Sequence, residues 1–182
     1  MIILASSSPR RHELLKRLFN EFEICASEAE EFTNADSPEH LAVENAKLKA
    51  LAAAKNFPND IVIGADTIVT LDGKIFGKPN DFEDACKMLR TLAGKMHKVI
   101  TGLAVIAGGK IFTDTEVTEV YFGEMTDEEI ANYVKTGEPM DKSGSYALQG
   151  GMAPFIQKIN GDWSNVVGLP LYRLRLLLKS VL

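Results

Sequence analysis

Asp60-Ile61-Val62-Ile63-Gly64-Ala65-Asp66-Thr67-Ile68-Val69-Thr70-Leu71-Asp72-Gly73 is the stretch that decides the fold. Two runs rich in Ile and Val, Asp60 to Gly64 and Thr67 to Leu71, read as β-strands separated by Ala65-Asp66. Asp72-Gly73 is a strong hairpin turn. On this reading Asp66 sits at or near a strand end. Toward the N-terminus, Asp36-Ser37-Pro38-Glu39 is a cap and proline signal for a long alanine-rich helix reaching about Lys55, with Leu41, Leu48, Leu51 and Ala52 as its apolar face. Further back, the apolar run Ile2 to Ala5, the break Ser6-Ser7-Ser8-Pro9 and the leucines 14, 15 and 18 read as strand, loop and helix, with Ser8 as N-cap.

Toward the C-terminus, Asn80-Asp81 opens a helix that ends at Gly94, and His97 to Ile106 pairs with Lys110 to Tyr121 across Gly108-Gly109 as a second hairpin. Thr126-Asp127-Glu128-Glu129 is a capping box for a helix stopping near Gly137, and Pro170 starts a last leucine-rich helix. Strands and helices mix without strict βαβ alternation. The expectation is therefore an α/β or α+β fold with a central mixed sheet flanked by helices. No repeat or low-complexity linker divides the 182 residues, which suit one domain.

Acidic residues outnumber basic ones 25 to 20, so the overall field repels polyanions, and bulk binding to nucleic acid is not expected. Cys25 and Cys86 lie far apart, with no CxxC and no zinc spacing, which suits a reducing, cytoplasmic setting. The start has no basic n-region of a signal peptide, and no stretch approaches transmembrane length, so no membrane partner is expected. There is neither GxxxxGK[ST] nor GxGxxG, which excludes a P-loop ATPase and leaves a dinucleotide fold unsupported.

Four constellations can carry chemistry, and each also has a plain structural reading. Ser6-Ser7-Ser8-Pro9-Arg10-Arg11 puts hydroxyls, helix-start N–H groups and two guanidinium groups within one turn. That is an anion site, or an ordinary capped helix with surface arginines. Asp66 in Gly64-Ala65-Asp66-Thr67 is a base or metal ligand on a rigid element, or a turn-forming aspartate. Lys78 in Gly77-Lys78-Pro79, and Lys49 among Ala46, Ala50 and Ala53, can neutralise phosphate or stay solvated, and the alanines leave room for a ligand or for tight packing. Asp141 to Gly151 forms a polar loop, a short strand and a glycine pair around Gln149, whose amide can read a base edge or be a bystander. His12, His40 and His97 stand alone and take structural roles. Trp163 is open between core, dimer contact and stacking partner.

Leu4-Ala5-Ser6-Ser7-Ser8-Pro9-Arg10-Arg11, Gly64-Ala65-Asp66-Thr67, Gly77-Lys78-Pro79, His97-Lys98-Val99-Ile100-Thr101-Gly102 and Asp141 to Gly150, followed by Asn160-Gly161 and Val167-Gly168-Leu169-Pro170, together resemble the Maf family along almost the whole chain. Five weak motifs in one order make a specific match. The resemblance implies a mixed α/β fold similar to that of the inosine triphosphate pyrophosphatases. It also implies a homodimer, a nucleoside triphosphate substrate cleaved to monophosphate and pyrophosphate, and a divalent cation, Mg²⁺ or Mn²⁺. Asp66 matches the family's proton acceptor, and Arg11, Lys49 and Lys78 match positions that balance phosphate charge, beside Ser6 and Ser8. Arg10, Thr67 and Gln149 match positions linked to base choice in the branch acting on dTTP and UTP rather than 7-methyl-GTP. Ser7 replaces the glycine of many relatives at a variable position. The acidic stretch Glu28 to Glu31 loosely resembles a glutamate segment and nominates Glu31 beside Asp66 as a metal ligand. Two other readings stay open: a nucleotide-binding regulator of septum formation without turnover, and modified pyrimidine triphosphates as the true substrates.

Overall fold

A computed structural model describes residues 1–26 and 29–181. Its strands are β1 (Ile2–Leu4), β2 (Glu23–Ile24), β3 (Ile61–Leu71), β4 (Lys74–Phe76), β5 (Met96–Ala107), β6 (Lys110–Phe122) and β7 (Ile156–Asn160). Its helices are α1 (Pro9–Leu15), α2 (Pro38–Ala54), α3 (Phe82–Leu92), α4 (Asp127–Lys135), α5 (Trp163–Val167) and α6 (Leu171–Lys179). The strands pair in the order β2-β1-β3-β5-β6-β7, with β4 on β3. β1 runs parallel to β2 and β3, while β3–β4 and β6–β7 are antiparallel, so the sheet is mixed as expected. The chain forms two compact units: Met1–Thr67 with Ile100–Glu116 and Ser164–Leu182, and Ile68–Val99 with Val117–Trp163.

In the first unit Ala65-Asp66 is not a break. β3 is continuous from Ile61, and Asp66 lies mid-strand rather than at a strand end. The strand is buried nearly throughout, so the alternation that marks a half-exposed strand is missing. Two strand glycines serve close packing. A Cβ on Gly64 would lie 2.3 Å from the Ala46 carbonyl oxygen, and one on Gly102 would lie 2.3 Å from the Ala42 carbonyl. The backbone of α2 therefore presses directly on the sheet, through Ala42, Ala46, Ala50 and Ala53.

This corrects the expected face of α2, of which only Leu41 is buried, while Leu48 and Ala52 are intermediate and Leu51 is exposed. Leucine hydropathy misdirected the reading, because close approach selects the smallest side chains. On the alternate residues of the strands, Leu4, Ile63, Ala65, Leu103 and Val105 join Leu14, Leu15, Leu169, Leu174 and Leu178 in a second apolar cluster. Helix α1 stops at Leu15, and Ser8 occupies the N-cap with extended backbone but makes no side-chain cap bond. Its own N–H donates to Ser6 Oγ at 3.2 Å.

In the second unit Asp72 and Gly73 take φ of 50° and 77°, as the tight turn between β3 and β4 requires. Asp81 caps α3 through Asp84 N, and Thr126 and Glu129 close the capping box of α4. The expected short strand within 141–151 is absent. Residues Glu138–Asp141 and Ser143–Ser145 form 3₁₀ turns, and Gly144 and Ser145 have φ of 71° and 62°, which cannot extend a ladder.

His97 is buried edge-on against Phe122 and Tyr146, and its Nε2 pairs with the Tyr146 hydroxyl at 2.8 Å. Burial lowers its pKa from 6.5 to about 4. The native state thus binds this proton more weakly than the unfolded chain, and stability falls as pH drops below 6.5 toward 4. The expected loss at pH 5 is about 2 kcal/mol. Thermal unfolding at pH 7.5 and 5.0 checks it. The His97→Phe variant should show a correspondingly smaller drop between the two pH values, and an equal drop would remove His97 as the cause.

Candidate active site

The first unit holds two polar groupings built on neighbouring residues of β3. Asp66 and Thr67 follow one another in a strand, so their side chains leave on opposite faces. On the face that meets α2, the Asp66 side chain is 10% exposed. Its Oδ1 lies 2.7 Å from Lys49 Nζ, and its Oδ2 accepts from Asn45 Nδ2 at 3.3 Å. Asn45 and Lys49 are four apart on α2 and share the side toward Asp66. The backbone approach allowed by Gly64 and Gly102 brings this side of the helix within reach of the strand.

Asn45 was not singled out in the sequence, yet it organises the site. Its amide accepts from Phe32 N at 2.7 Å and donates to the Phe32 carbonyl at 3.1 Å, fixing the segment that presents Glu31. Glu31 Oε1 then reaches Lys49 Nζ at 2.8 Å. The available signal was an amide at helical spacing from Lys49 in an otherwise alanine-rich helix.

On the other face Arg11 makes the largest set of contacts. Its Nε donates to the Gly168 carbonyl at 2.7 Å, Nη1 to Ser6 Oγ at 3.3 Å and Nη2 to Thr67 Oγ1 at 2.9 Å. Thr67 Oγ1 lies 2.9 Å from Thr101 Oγ1, which donates to the Asn165 carbonyl at 3.2 Å. These bonds use three of the five guanidinium donors and leave one N–H on each terminal nitrogen for an anion. Burial pulls the Arg11 pKa down, Asp66 opposes this, and Arg10 adds to it. Arginine nonetheless remains a cation. Thr101 and Gly168 are further participants that the sequence motifs contained without marking them, and Asn165 lies outside those motifs.

Of the nominated residues, the structure thus joins Asp66, Lys49 and Glu31 in one group and Ser6, Arg11 and Thr67 in another, with Ser8 bonded to Ser6 and Arg10 half-buried beside Arg11. Lys78 and Gln149 belong to the second unit, where both are exposed. Glu28 lies outside the described residues.

Among the described residues no cluster of three His, Cys, Asp or Glu forms. Asp66 and Glu31 nevertheless converge on one cation, the Lys49 ammonium. Two hard carboxylates are the donor type that would suit a cation such as Mg²⁺ or Mn²⁺.

Comparison with known proteins places this geometry in a family. The chain is 51% identical over 174 residues to a dTTP/UTP pyrophosphatase of Bacillus cereus, covering 95% of this chain and 91% of that one. It is 48% identical over 170 residues to a dTTP/UTP pyrophosphatase of Pyrococcus furiosus, covering 93% and 90%. The solved structure of the Staphylococcus aureus Ham1 protein matches over 98% of both chains at 17% identity, with a TM-score of 0.50, which bears out the expected fold. The family model described as Maf-like protein matches residues 1–181, and with relatives at half identity over nearly the whole length, the chain belongs to the Maf family.

Proposed function

We propose that this protein hydrolyses dTTP and UTP between the α and β phosphates, releasing the nucleoside monophosphate and pyrophosphate. The observation that carries the reading is the buried Asp66 carboxylate, gripped by Lys49 and Asn45 on a rigid strand one residue from the arginine web. The half identity to relatives named dTTP/UTP pyrophosphatase supports the substrate class.

Asp66 accepts a proton from, and orients, the water that attacks the α-phosphorus. Lys49, Arg11 and Lys78 balance the phosphate charge, which grows on the departing pyrophosphate, and Ser6 and Ser8 contribute polar groups at the start of α1. Lys49 is drawn between Asp66 and an incoming phosphate, so substrate charge can loosen its hold on the base. Asp66 and Glu31 would hold a divalent cation, Mg²⁺ or Mn²⁺, which supplies further neutralisation of the triphosphate oxygens. Arg10, Thr67 and Gln149 govern base choice.

The protein works in the cytoplasm, a location supported by its free thiols, Cys25 and Cys86. It acts as a homodimer, supported by the exposed apolar residues Tyr172 and Leu176 four apart on α6, a surface suited to self-association.

Pyrophosphate release from dTTP, UTP, CTP, GTP and 7-methyl-GTP, with Mg²⁺ or Mn²⁺, tests the reading. Turnover confined to dTTP and UTP is expected. Tight dTTP binding without pyrophosphate would favour a regulator of cell division, and faster turnover of methylated pyrimidine triphosphates would make those the substrates. The Gln149→Ala variant should lose roughly tenfold in discrimination between dTTP and GTP, the worth of one hydrogen bond, with little change in kcat. An unchanged substrate profile would remove Gln149 from base reading.

A further inference from the structure

Gln149 stands exposed on a turn running from Ala147 to Gly151, and an exposed amide discriminates between bases only if the backbone beneath it is held in place. Two side chains from outside the turn hold its ends. The buried Tyr133 of α4 accepts from Ala147 N at 3.1 Å, and Glu138 Oε2 accepts from Gly151 N at 3.1 Å. Gln149 is therefore bracketed by two braces, Ala147 N–H on the Tyr133 hydroxyl and Gly151 N–H on the Glu138 carboxylate.

The glycine pair is explained by the same carboxylate. A Cβ on Gly150 would lie 1.9 Å from Glu138 Oε1, and one on Gly151 would meet the Tyr133 ring at 3.0 Å. With Glu138 and Tyr133 in these positions, a side chain at either glycine would push the carboxylate or the ring aside. Burial first, and then the influence of the Glu138 carboxylate, push the Tyr133 pKa far above its ordinary range, so the hydroxyl keeps its hydrogen at any assay pH.

We propose that Tyr133 and Glu138 are positioning residues that fix the orientation of Gln149 and so set the base selectivity of the enzyme. The inference rests on the base-reading role proposed above for Gln149. Both side chains hold the backbone of the turn, so their effect on Gln149 runs through it.

The test measures kcat and KM for dTTP and GTP in wild type, Tyr133→Phe, Glu138→Ala, Glu138→Gln, Gln149→Ala and the Tyr133→Phe/Gln149→Ala double variant. Tyr133→Phe and Glu138→Ala should each reduce discrimination between the two substrates toward the Gln149→Ala level, about tenfold, through KM and with kcat for dTTP within about threefold. Glu138→Gln retains a carbonyl acceptor for Gly151 N and should recover most of the selectivity. The double variant should discriminate no worse than Gln149→Ala alone, because both changes act on one group. If Glu138→Ala does not fold, Tyr133→Phe, which keeps the ring, carries the test beside Glu138→Gln.

A merely structural role predicts lower thermal stability and equal losses on both substrates. An unchanged ratio in Tyr133→Phe and Glu138→Ala, with the ratio altered in Gln149→Ala, overturns the positioning role alone. An unchanged ratio in Gln149→Ala overturns the base-reading role and the positioning role together.

Discussion

The Asp66→Asn variant is expected to fold normally and bind dTTP within a few-fold of wild type, while turnover falls by about 10²- to 10⁴-fold, the usual worth of a general base. The exchange is isosteric, removes the charge and the ability to accept a proton, and turns the oxygen facing Lys49 into an amide nitrogen. Its neighbours tolerate it. Asn45 Nδ2 can still donate to the remaining carbonyl oxygen, and Lys49 keeps Glu31 at 2.8 Å, so no charge is left buried and alone. That second carboxylate is why the melting temperature should move by only a few degrees. Pyrophosphate release in single-turnover conditions, with nucleotide affinity measured separately, checks both halves. Turnover near the wild-type value would take the base role from Asp66. A collapse in affinity would instead assign it chiefly to holding the triphosphate through a cation.

Much of the fold was legible because short-range chemistry dictated it. Asp72-Gly73 and Gly108-Gly109 adopt the positive φ angles that tight hairpins demand, and Ser37, Asp81 and Thr126 cap the helices they precede. Features governed by long-range packing were read wrongly or missed. Ala65-Asp66 looked like an interruption because small and polar residues punctuate isolated chains, whereas here Ala65 packs in the leucine cluster and the strand runs through. Leu51 looked like core because hydropathy does not encode how closely α2 approaches, and it is exposed. β2, β7 and the five-residue α5 had too few residues to show a period.

The site divided in the same way. Asp66, Lys49 and Arg11 stood out as charged groups, while Asn45 and Thr101 act through partners distant in sequence and were not singled out. The consequence for mechanism is that the helix-to-sheet spacing is itself a part of the site. Asn45 and Lys49 reach Asp66 only because α2 lies against strands with no Cβ at Gly64 and Gly102.

The Gly102→Ala variant puts that dependence to the sharpest test. A Cβ there would lie 2.3 Å from both the carbonyl carbon and the oxygen of Ala42, and 2.4 Å from Val43 N. All three are backbone atoms in the first turns of α2, so no side-chain rotation can relieve the clash, and the helix itself must move off the sheet. Displacement opens space beside Ala104, Ala46 and Ala50, which are all fully buried. Overpacking costs 1–3 kcal/mol where side chains can adjust, and a rigid helix backbone belongs at or above the upper end, so a loss of about 3 kcal/mol and a melting temperature lower by about 10 °C are expected. Gly77→Ala supplies the control, since its Cβ meets nothing within 4 Å, and its stability should stay within about 0.5 kcal/mol of wild type. Gly102→Ala should also lower kcat at temperatures where it remains folded, because moving α2 carries Asn45 and Lys49 away from Asp66. Calorimetry beside turnover separates the two effects. A variant as stable as wild type would mean that α2 can yield freely, and full activity in a destabilised variant would mean that its distance from the sheet does not set the base.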